Sequence, residues 1–381
     1  MVQFLCSSRR LSLFRVVLLG AIFGGLSLLA THSGAKPVVK SASKAVSQSA
    51  AKSFTKSASN NPSKSAKVAK GKSAKQGKVA LNKKATKSAR LAAAGPAEPP
   101  RVSLGQAIGL HAVSDPADLK SSVALAVDSR TGKILFEKNS QAVLPIASIT
   151  KLMTAMVVLD GKQALGEPLE ISSADVDLEK NSRSRLRTGS VLNRGELLQL
   201  ALMASENRAA NALGRYYPGG SEAFIAAMNL KAKSIQMEDT QFFDATGLSS
   251  RNMSNARDLV QLVKRAGDYP LIRQYSTASE LTVDTGFRMI SFKNTNRLIE
   301  NPDWQISLSK TGYISEAGNC LVMHTRVNEQ PVVMVFLDAV GRYTRFADAS
   351  RLRAYLETGD KLVKVQTRQK ANKELLKPSK A

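Results

Sequence analysis

Ser148 and Lys151 stand three residues apart in Ile146-Ala147-Ser148-Ile149-Thr150-Lys151, a spacing that in a helix places their Cβ atoms roughly 5–6 Å apart. A helix beginning there also points its free backbone N–H groups at the serine. Such a pair works as nucleophile and base once burial or a nearby cation lowers the lysine from its ordinary pKa of about 10.4, and Leu152, Met153 and Met156 supply an apolar surround. The Ser-x-x-Lys pattern alone has little weight in this chain, because it also begins at Ser33, Ser41, Ser49, Ser53 and Ser307. Ser307 falls in a strand-like run, where side chains i and i+3 face opposite sides, and the other four precede the folded region. By itself Ser148 would read as a helix-capping serine followed by a surface lysine. Two further triplets shift the balance: Ser205-Glu206-Asn207, in a predicted break between helices, and Lys310-Thr311-Gly312, the only Lys-Thr-Gly in the chain, at the end of a predicted strand. They follow in order, 57 residues from Ser148 to Ser205 and 105 more to Lys310.

The elements around these residues follow from their periodicity. Ser122 to Asp128 is an apolar run; with the turn Ser129-Arg130-Thr131-Gly132 and the run Lys133 to Lys138 it predicts a β-hairpin. Ala147 to Asp160 is apolar on nearly all sides and stops at Gly161, predicting a buried central helix. Helices are expected over 195–204 and 208–216, from Ser221 as cap to Ile235, and from Ser254 as cap to Ala266. Strands are expected over 280–284, 287–292, 305–309, 320–327 and 332–337, with a last helix over 344–357. That order predicts an α+β fold whose first and last strands meet in one antiparallel sheet across a helical insertion.

The chain has 381 residues and a formal charge of +25, with the excess outside that region. Residues 36–101 hold fourteen Lys, two Arg and one Glu, whereas 102–350 hold 27 basic and 26 acidic side chains. A basic segment of Lys, Ser and Ala with almost no large apolar residue has nothing to offset the entropy of ordering. It predicts a disordered tether over 36–113, a solvated spacer that could also contact anionic envelope polymers. Nucleic acid is not an expected partner, since Phe54 is the segment's only aromatic residue. Arg9 and Arg10 ahead of the 15 apolar residues Val16 to Ala30, then Ser33-Gly34-Ala35, predict a signal peptide over 1–35 and export to the periplasm. The rival reading, an uncleaved anchor, needs about 20 apolar residues to span a bilayer. A basic tail is expected over 359–381.

Three other chemistries fit poorly. The histidines are His32, His111 and His324, too few for a zinc peptidase, so no metal or other cofactor is expected. A cysteine peptidase would need Cys320 and His324, which four strand residues separate by about 13 Å. A class A-type β-lactamase shares the three motifs but deacylates with a Glu followed by an Asn four residues on, and no such pair lies between Asn207 and Lys310.

At the motif residues the chain resembles the low-molecular-mass penicillin-binding proteins, serine D-alanyl-D-alanine carboxypeptidases and endopeptidases. The likeness covers roughly 118–358. Pro145 to Thr154, Ser205-Glu206-Asn207-Arg208-Ala209-Ala210, Asn294-Thr295-Asn296-Arg297-Leu298, Lys310 to Gly318 and the loop Thr240 to Leu248 carry it, and they are most similar to the penicillin-binding protein 7 type of endopeptidase. The resemblance implies a β-lactamase/transpeptidase-like fold, an antiparallel sheet flanked by helices with a helical subdomain, over 114–358. The chain ends too soon for the C-terminal β-domain of the larger carboxypeptidases, and 359–381 predicts no stable C-terminal membrane anchor.

The roles implied by the resemblance are these. Ser148 attacks the carbonyl between two D-residues while Lys151 takes its proton, and water hydrolyses the acyl-enzyme. The backbone N–H groups of Ser148 and Tyr313 form the oxyanion hole, each worth about 3 kcal/mol. Ser205 relays a proton to the leaving amine, and Asn207 holds Lys151 and the substrate amide. Lys310 adds positive charge beside Ser205, Thr311 binds the terminal carboxylate, and Gly312 lets the substrate lie against the strand. Arg342 and Arg345, near a helix start, are weaker candidates for a carboxylate. The implied substrate is the peptide of peptidoglycan, with β-lactams as covalent inhibitors and a monomer as the working form. Endopeptidase action on D-alanyl-diaminopimelate cross-links is favoured over carboxypeptidase action. The non-enzymatic alternative is a basic envelope or nucleic-acid-binding protein with an inactive domain, which the intact motifs disfavour.

Overall fold

The computed structural model describes residues 102–375, with side chains described to 359. The expected leader and nearly all of the expected tether lie outside the described residues, as do the side chains of 360–381. The strands are β1 (Ser121–Asp128), β2 (Ile134–Lys138), β3 (Leu144–Pro145), β4 (Pro168–Glu170), β5 (Val191–Asn193), β6 (Met253–Ser254), β7 (Glu280–Asp284), β8 (Met289–Lys293), β9 (Ile306–Ile314), β10 (Gly318–Val327) and β11 (Gln330–Ala339). The helices are α1 (Leu104–Ala107), α2 (Lys151–Asp160), α3 (Arg194–Met203), α4 (Asn207–Arg215), α5 (Gly220–Ser234), α6 (Ala256–Ala266), α7 (Pro270–Thr277) and α8 (Thr344–Leu375).

An antiparallel sheet in the order β2-β1-β11-β10-β9 joins the two ends of the folded chain, with Ser121 opposite Ala339 and Asp128 opposite Val332. The α+β architecture read from the sequence is the one observed. β1 is buried at all eight positions because both of its faces are covered, so its side chains do not alternate in polarity. Val123, Leu125 and Val127 join the helical core, and Ala124 and Ala126 join a second cluster with Trp304, Phe346 and Leu352. β10 and β11 divide in the same way: Val322, Val333 and Val335 face the helices, Leu321, Met323, Met334 and Phe336 the other side. The insertion between β2 and β9 supplies α2 to α7, and α2 runs through its centre with Lys151 to Val158 all buried. That enclosure explains a helix with no polar stripe.

Several expectations change. α5 starts from Gly219 in the left-handed region, and Ser221 lies inside its first turn. Asn255, not Ser254, caps α6 by accepting from the Asp258 N–H at 2.8 Å; Ser254 pairs with Leu144 and its hydroxyl meets Thr240 Oγ1 at 2.7 Å. The strand expected over 305–309 continues through Ile314, which puts Lys310-Thr311-Gly312 inside β9 rather than at its end. α7, begun by Pro270 as first residue, was not anticipated. Within the segment assigned to the tether, α1 already touches the fold: Ser103 is buried and the Leu104 N–H donates to Glu316 O at 3.0 Å. The last helix runs to Leu375, beyond the expected 357. Among the described residues no helix is long and apolar enough to cross a membrane.

Candidate active site

The chain leaves the β3–β6 pairing at Ile146, whose N–H donates to Asn252 O at 3.0 Å. It enters a tight 3-10 turn, Ala147–Thr150, which leads directly into α2. Ala147 has φ +46°, a backbone conformation that costs an L-residue about 1 kcal/mol or more and persists only where the surroundings impose it. Here Thr150 Oγ1 donates to Ala147 O at 2.8 Å, and Asn252 Nδ2 donates to Thr150 Oγ1 at 3.0 Å. The turn projects Ser148 ahead of the helix, with Lys151 as the first α-helical residue.

Lys151 is fully buried, and its Nζ lies 2.8 Å from Ser148 Oγ, 2.7 Å from Asn207 Oδ1 and 2.7 Å from Thr246 O. Among the described residues it has no ion pair. Burial pulls its pKa down to about 7, against weaker opposing attraction from Asp244 and Glu206. A neutral amine in this position donates to Asn207 and Thr246 and turns its lone pair to the Ser148 O–H, the arrangement a general base requires. Acylation by a β-lactam is therefore expected to rise with pH through about 7 and to fall about tenfold per unit below it, as the ammonium form takes over. Stopped-flow acylation rates between pH 5 and 9 check this; a flat profile would contradict it.

Ser205 occupies the break between α3 and α4 in the left-handed region, φ +60°. Lys310 Nζ reaches its hydroxyl at 2.9 Å and its own neighbour's Thr311 O at 2.8 Å. Burial, then the nearby Lys151 and Arg345 charges, hold Lys310 well below the ordinary lysine range. Asn207 opens α4 and spans the two halves, accepting from Lys151 and donating through Nδ2 to Ser182 Oγ at 2.9 Å. Thr311 donates to Thr295 Oγ1 at 2.7 Å, and the Thr295 N–H is held by Met203 O at 3.1 Å.

β9 is the edge strand of the sheet and lies directly against the serine turn. A Cβ on Gly312 would sit 3.0 Å from Ile146 O and 3.1 Å from Ser148 N. The glycine therefore lets the strand approach the turn that carries Ser148, besides the substrate contact expected for it. Gly312→Ala is expected to fold but to push the turn away and slow acylation about 100-fold, since small misplacements of reacting groups have effects of that size; penicillin acylation kinetics beside a thermal melt measure both.

The structure gathers Ser148, Lys151, Ser205, Asn207, Lys310, Thr311, Gly312 and Tyr313 around one cleft. Ser148, Ser205, Asn207, Thr311, Gly312 and Tyr313 line a cavity of about 580 Å³ together with Thr295, Arg297, Arg342, Tyr343 and Arg345. Arg342 and Arg345 are thus part of the cleft wall, and Arg345 is buried with a hydrogen bond to Asn319 Oδ1. Sequence reasoning quoted the loop Thr240 to Leu248 without giving Asp244 a role. Its carboxylate accepts from the N–H groups of Thr246 (3.0 Å), Gly247 (2.6 Å), Leu248 (3.1 Å) and Ser249 (2.9 Å) and from Asn252 Nδ2 (2.9 Å). This network fixes the loop so that Thr246 O meets Lys151. Gly247, at φ +80°, packs against the Ala147 carbonyl where no side chain fits.

Elsewhere, Cys320 is fully buried and its thiol is pushed up to about 12, which removes it as a nucleophile. Both ring nitrogens of His324 meet serine hydroxyls, Ser307 at 2.6 Å and Ser129 at 3.0 Å.

A part-exposed serine bonded to a buried lysine at the start of a central helix, facing the edge strand of an antiparallel sheet, defines an acyl-transfer hydrolase of the β-lactamase-like fold. The sequence model of the D-alanyl-D-alanine carboxypeptidase peptidase family matches residues 110–341, and the chain belongs to that family of serine peptidases. It is 52% identical over 246 residues to a D-alanyl-D-alanine endopeptidase of Pseudomonas aeruginosa, covering 64% of this chain and 79% of that protein. It is 48% identical over 244 residues to a D-alanyl-D-alanine endopeptidase of Escherichia coli, with the same coverage, 64% and 79%. Among solved structures it is similar to penicillin-binding protein D2 of Listeria monocytogenes in an ampicillin-bound form, with TM-score 0.55 and 27% identity over 63% of this chain and 98% of that one.

Proposed function

We propose that this serine peptidase works in the periplasm as a D-alanyl-D-alanine endopeptidase, cutting the D-alanyl-diaminopimelate cross-links of peptidoglycan. Identity of about half to two proteins named for that activity supports the choice of bond. The observation that carries the mechanism is the short contact of Ser148 Oγ with a buried lysine whose pKa is lowered to about 7.

In this reading the Ser148 Oγ attacks the D-alanine carbonyl carbon and Lys151 Nζ receives its proton. The oxyanion is met by the backbone N–H groups of Ser148 and Tyr313. As the C–N bond breaks, the proton passes through Ser205 to the leaving nitrogen, with Lys310 at 2.9 Å polarising the Ser205 hydroxyl. Thr311 and Lys310 take the carboxylate beside the scissile bond. Water then hydrolyses the ester on Ser148. Asn207 keeps Lys151 and the substrate amide aligned. A β-lactam follows the first half of this course and stays attached, as the ampicillin complex of the Listeria relative suggests.

Chromatography of muropeptides after incubation with the protein tests the choice of bond. Cross-linked dimers are expected to be split into monomers faster than pentapeptide monomers lose their terminal D-alanine. Loss of D-alanine from pentapeptides with dimers intact would make the protein a carboxypeptidase, the alternative that the family's name favours.

A further inference from the structure

The cleft does not stop at the groups that handle the scissile bond. Besides Ser205 and Thr311, which the reaction assigns to the leaving group, its wall includes Asn296, Arg297, Glu300, Arg342 and Tyr343. Arg297 and Arg342 both address the ring of Tyr343, their guanidinium carbons 4.5 and 5.6 Å from its centroid. Arg297 Nη2 also donates to the Tyr343 hydroxyl at 3.1 Å. Among the described residues neither arginine forms an ion pair, and Glu300, the carboxylate on the same wall, pairs with neither.

The scaffold holds this group in place from both sides. Asn296 caps the turn Arg297–Glu300 by accepting from the Leu298 N–H at 3.0 Å, and its Nδ2 donates to Ser309 Oγ on β9 at 2.8 Å. On the other side Tyr343 immediately precedes α8, with its carbonyl accepting from the Phe346 N–H at 3.0 Å. Two like charges around one aromatic ring, neither paired with the Glu300 carboxylate on the same wall, form a planar donor surface suited to an anion.

A free D-alanine leaving group ends at the carboxylate beside the scissile bond, which Thr311 and Lys310 already reach. The leaving group of a cross-link is an entire acceptor stem peptide, which extends along the cleft with two further carboxylates: the α-carboxylate of its D-glutamate and its own C-terminus. We propose that Arg297, Tyr343 and Arg342 form a clamp for one carboxylate of the acceptor stem, and that this clamp selects cross-links over terminal D-alanine. The proposal rests on the endopeptidase reading and names the part of the site that makes the distinction. The three residues position substrate and take no part in the chemistry at Ser148.

The test compares the unmodified protein with a double variant, Arg297→Gln with Arg342→Gln. The substrates are a tetrapeptide dimer, the same dimer amidated at the acceptor's D-glutamate α-carboxylate, the dimer amidated at the acceptor's C-terminus, and a pentapeptide monomer. Benzylpenicillin, which has no acceptor stem, reports folding and the state of Ser148. The ratio of dimer cleavage to penicillin acylation is expected to fall about tenfold in the variant. One amidated dimer should be cut about tenfold more slowly by the unmodified protein and no more slowly still by the variant, and which one it is identifies the carboxylate. An unchanged ratio, or equal sensitivity of all substrates, overturns the clamp while leaving the endopeptidase reading standing. Failure of the unmodified protein to cut any dimer overturns that reading and the clamp with it.

Discussion

Replacing Ser148 with alanine is expected to abolish covalent labelling by penicillin and to lower peptide cleavage about 10⁵-fold, because no acyl-enzyme can form. The fold should survive the change. Lys151 loses one of its three hydrogen-bond partners but keeps Asn207 Oδ1 and Thr246 O, each at 2.7 Å, and Ser148 is only part-buried within the turn. The variant should therefore melt like the unmodified protein and still bind muropeptides without turning them over. Fluorescent penicillin on a gel, beside a melting curve, reads both properties. A labelled band of normal intensity from the Ser148→Ala protein would place the nucleophile elsewhere.

The second large effect belongs to Lys151. Lys151→Met keeps the length of the side chain and suits its fully buried position, yet removes the base, and acylation is expected to slow about 10⁴-fold. Stability should fall by about 1–3 kcal/mol as well, because Thr246 O and Asn207 Oδ1 lose their buried donor. Lys151→Arg is expected to fail equally as a base, since a guanidinium keeps its proton throughout the accessible pH range. Whatever activity remains in the methionine variant should lose the rise through about pH 7 that Lys151 imposes. Rapid-mixing kinetics of β-lactam acylation across pH decide the matter. An arginine variant acylating at the unmodified rate would mean that another group accepts the Ser148 proton.

Much of the architecture is legible in the sequence because its strongest local patterns agree with the tertiary outcome. The apolar runs within β1, β10 and β11 identify strands, and the largely apolar α2 identifies the helix at the centre of the insertion. The three motifs stand out by residue type, and the structure brings their side chains together by hydrogen bonds within and between them across 162 residues of chain, from Ser148 to Lys310. What escapes sequence reasoning escapes it for physical reasons. Thr246 contributes a backbone carbonyl, a group that every residue carries, so its approach to Lys151 has no signature in residue type. Asp244 acts by collecting N–H groups from a loop whose path depends on Asn252 and on the glycine at 247. The helix starts at Gly219 and Asn255 were misplaced because serine is a good cap in general, while Ser254 is taken by a strand pairing and by Thr240. The side-by-side arginines of the outer cleft are 45 residues apart in sequence and meet only because the turn at Arg297 and the start of α8 flank the same edge of the sheet.

The central claim is an acyl-enzyme on Ser148, and it can be read directly from the mass of a peptide. The protein is incubated with ampicillin, quenched in acid and digested with trypsin, which releases residues 139–151 as one fragment holding two serines, Ser140 and Ser148. Fragmentation is predicted to put the whole ampicillin mass on Ser148, with Ser140 unmodified. An adduct on Ser140, on Ser205 or on any other residue, with Ser148 free, would contradict the account.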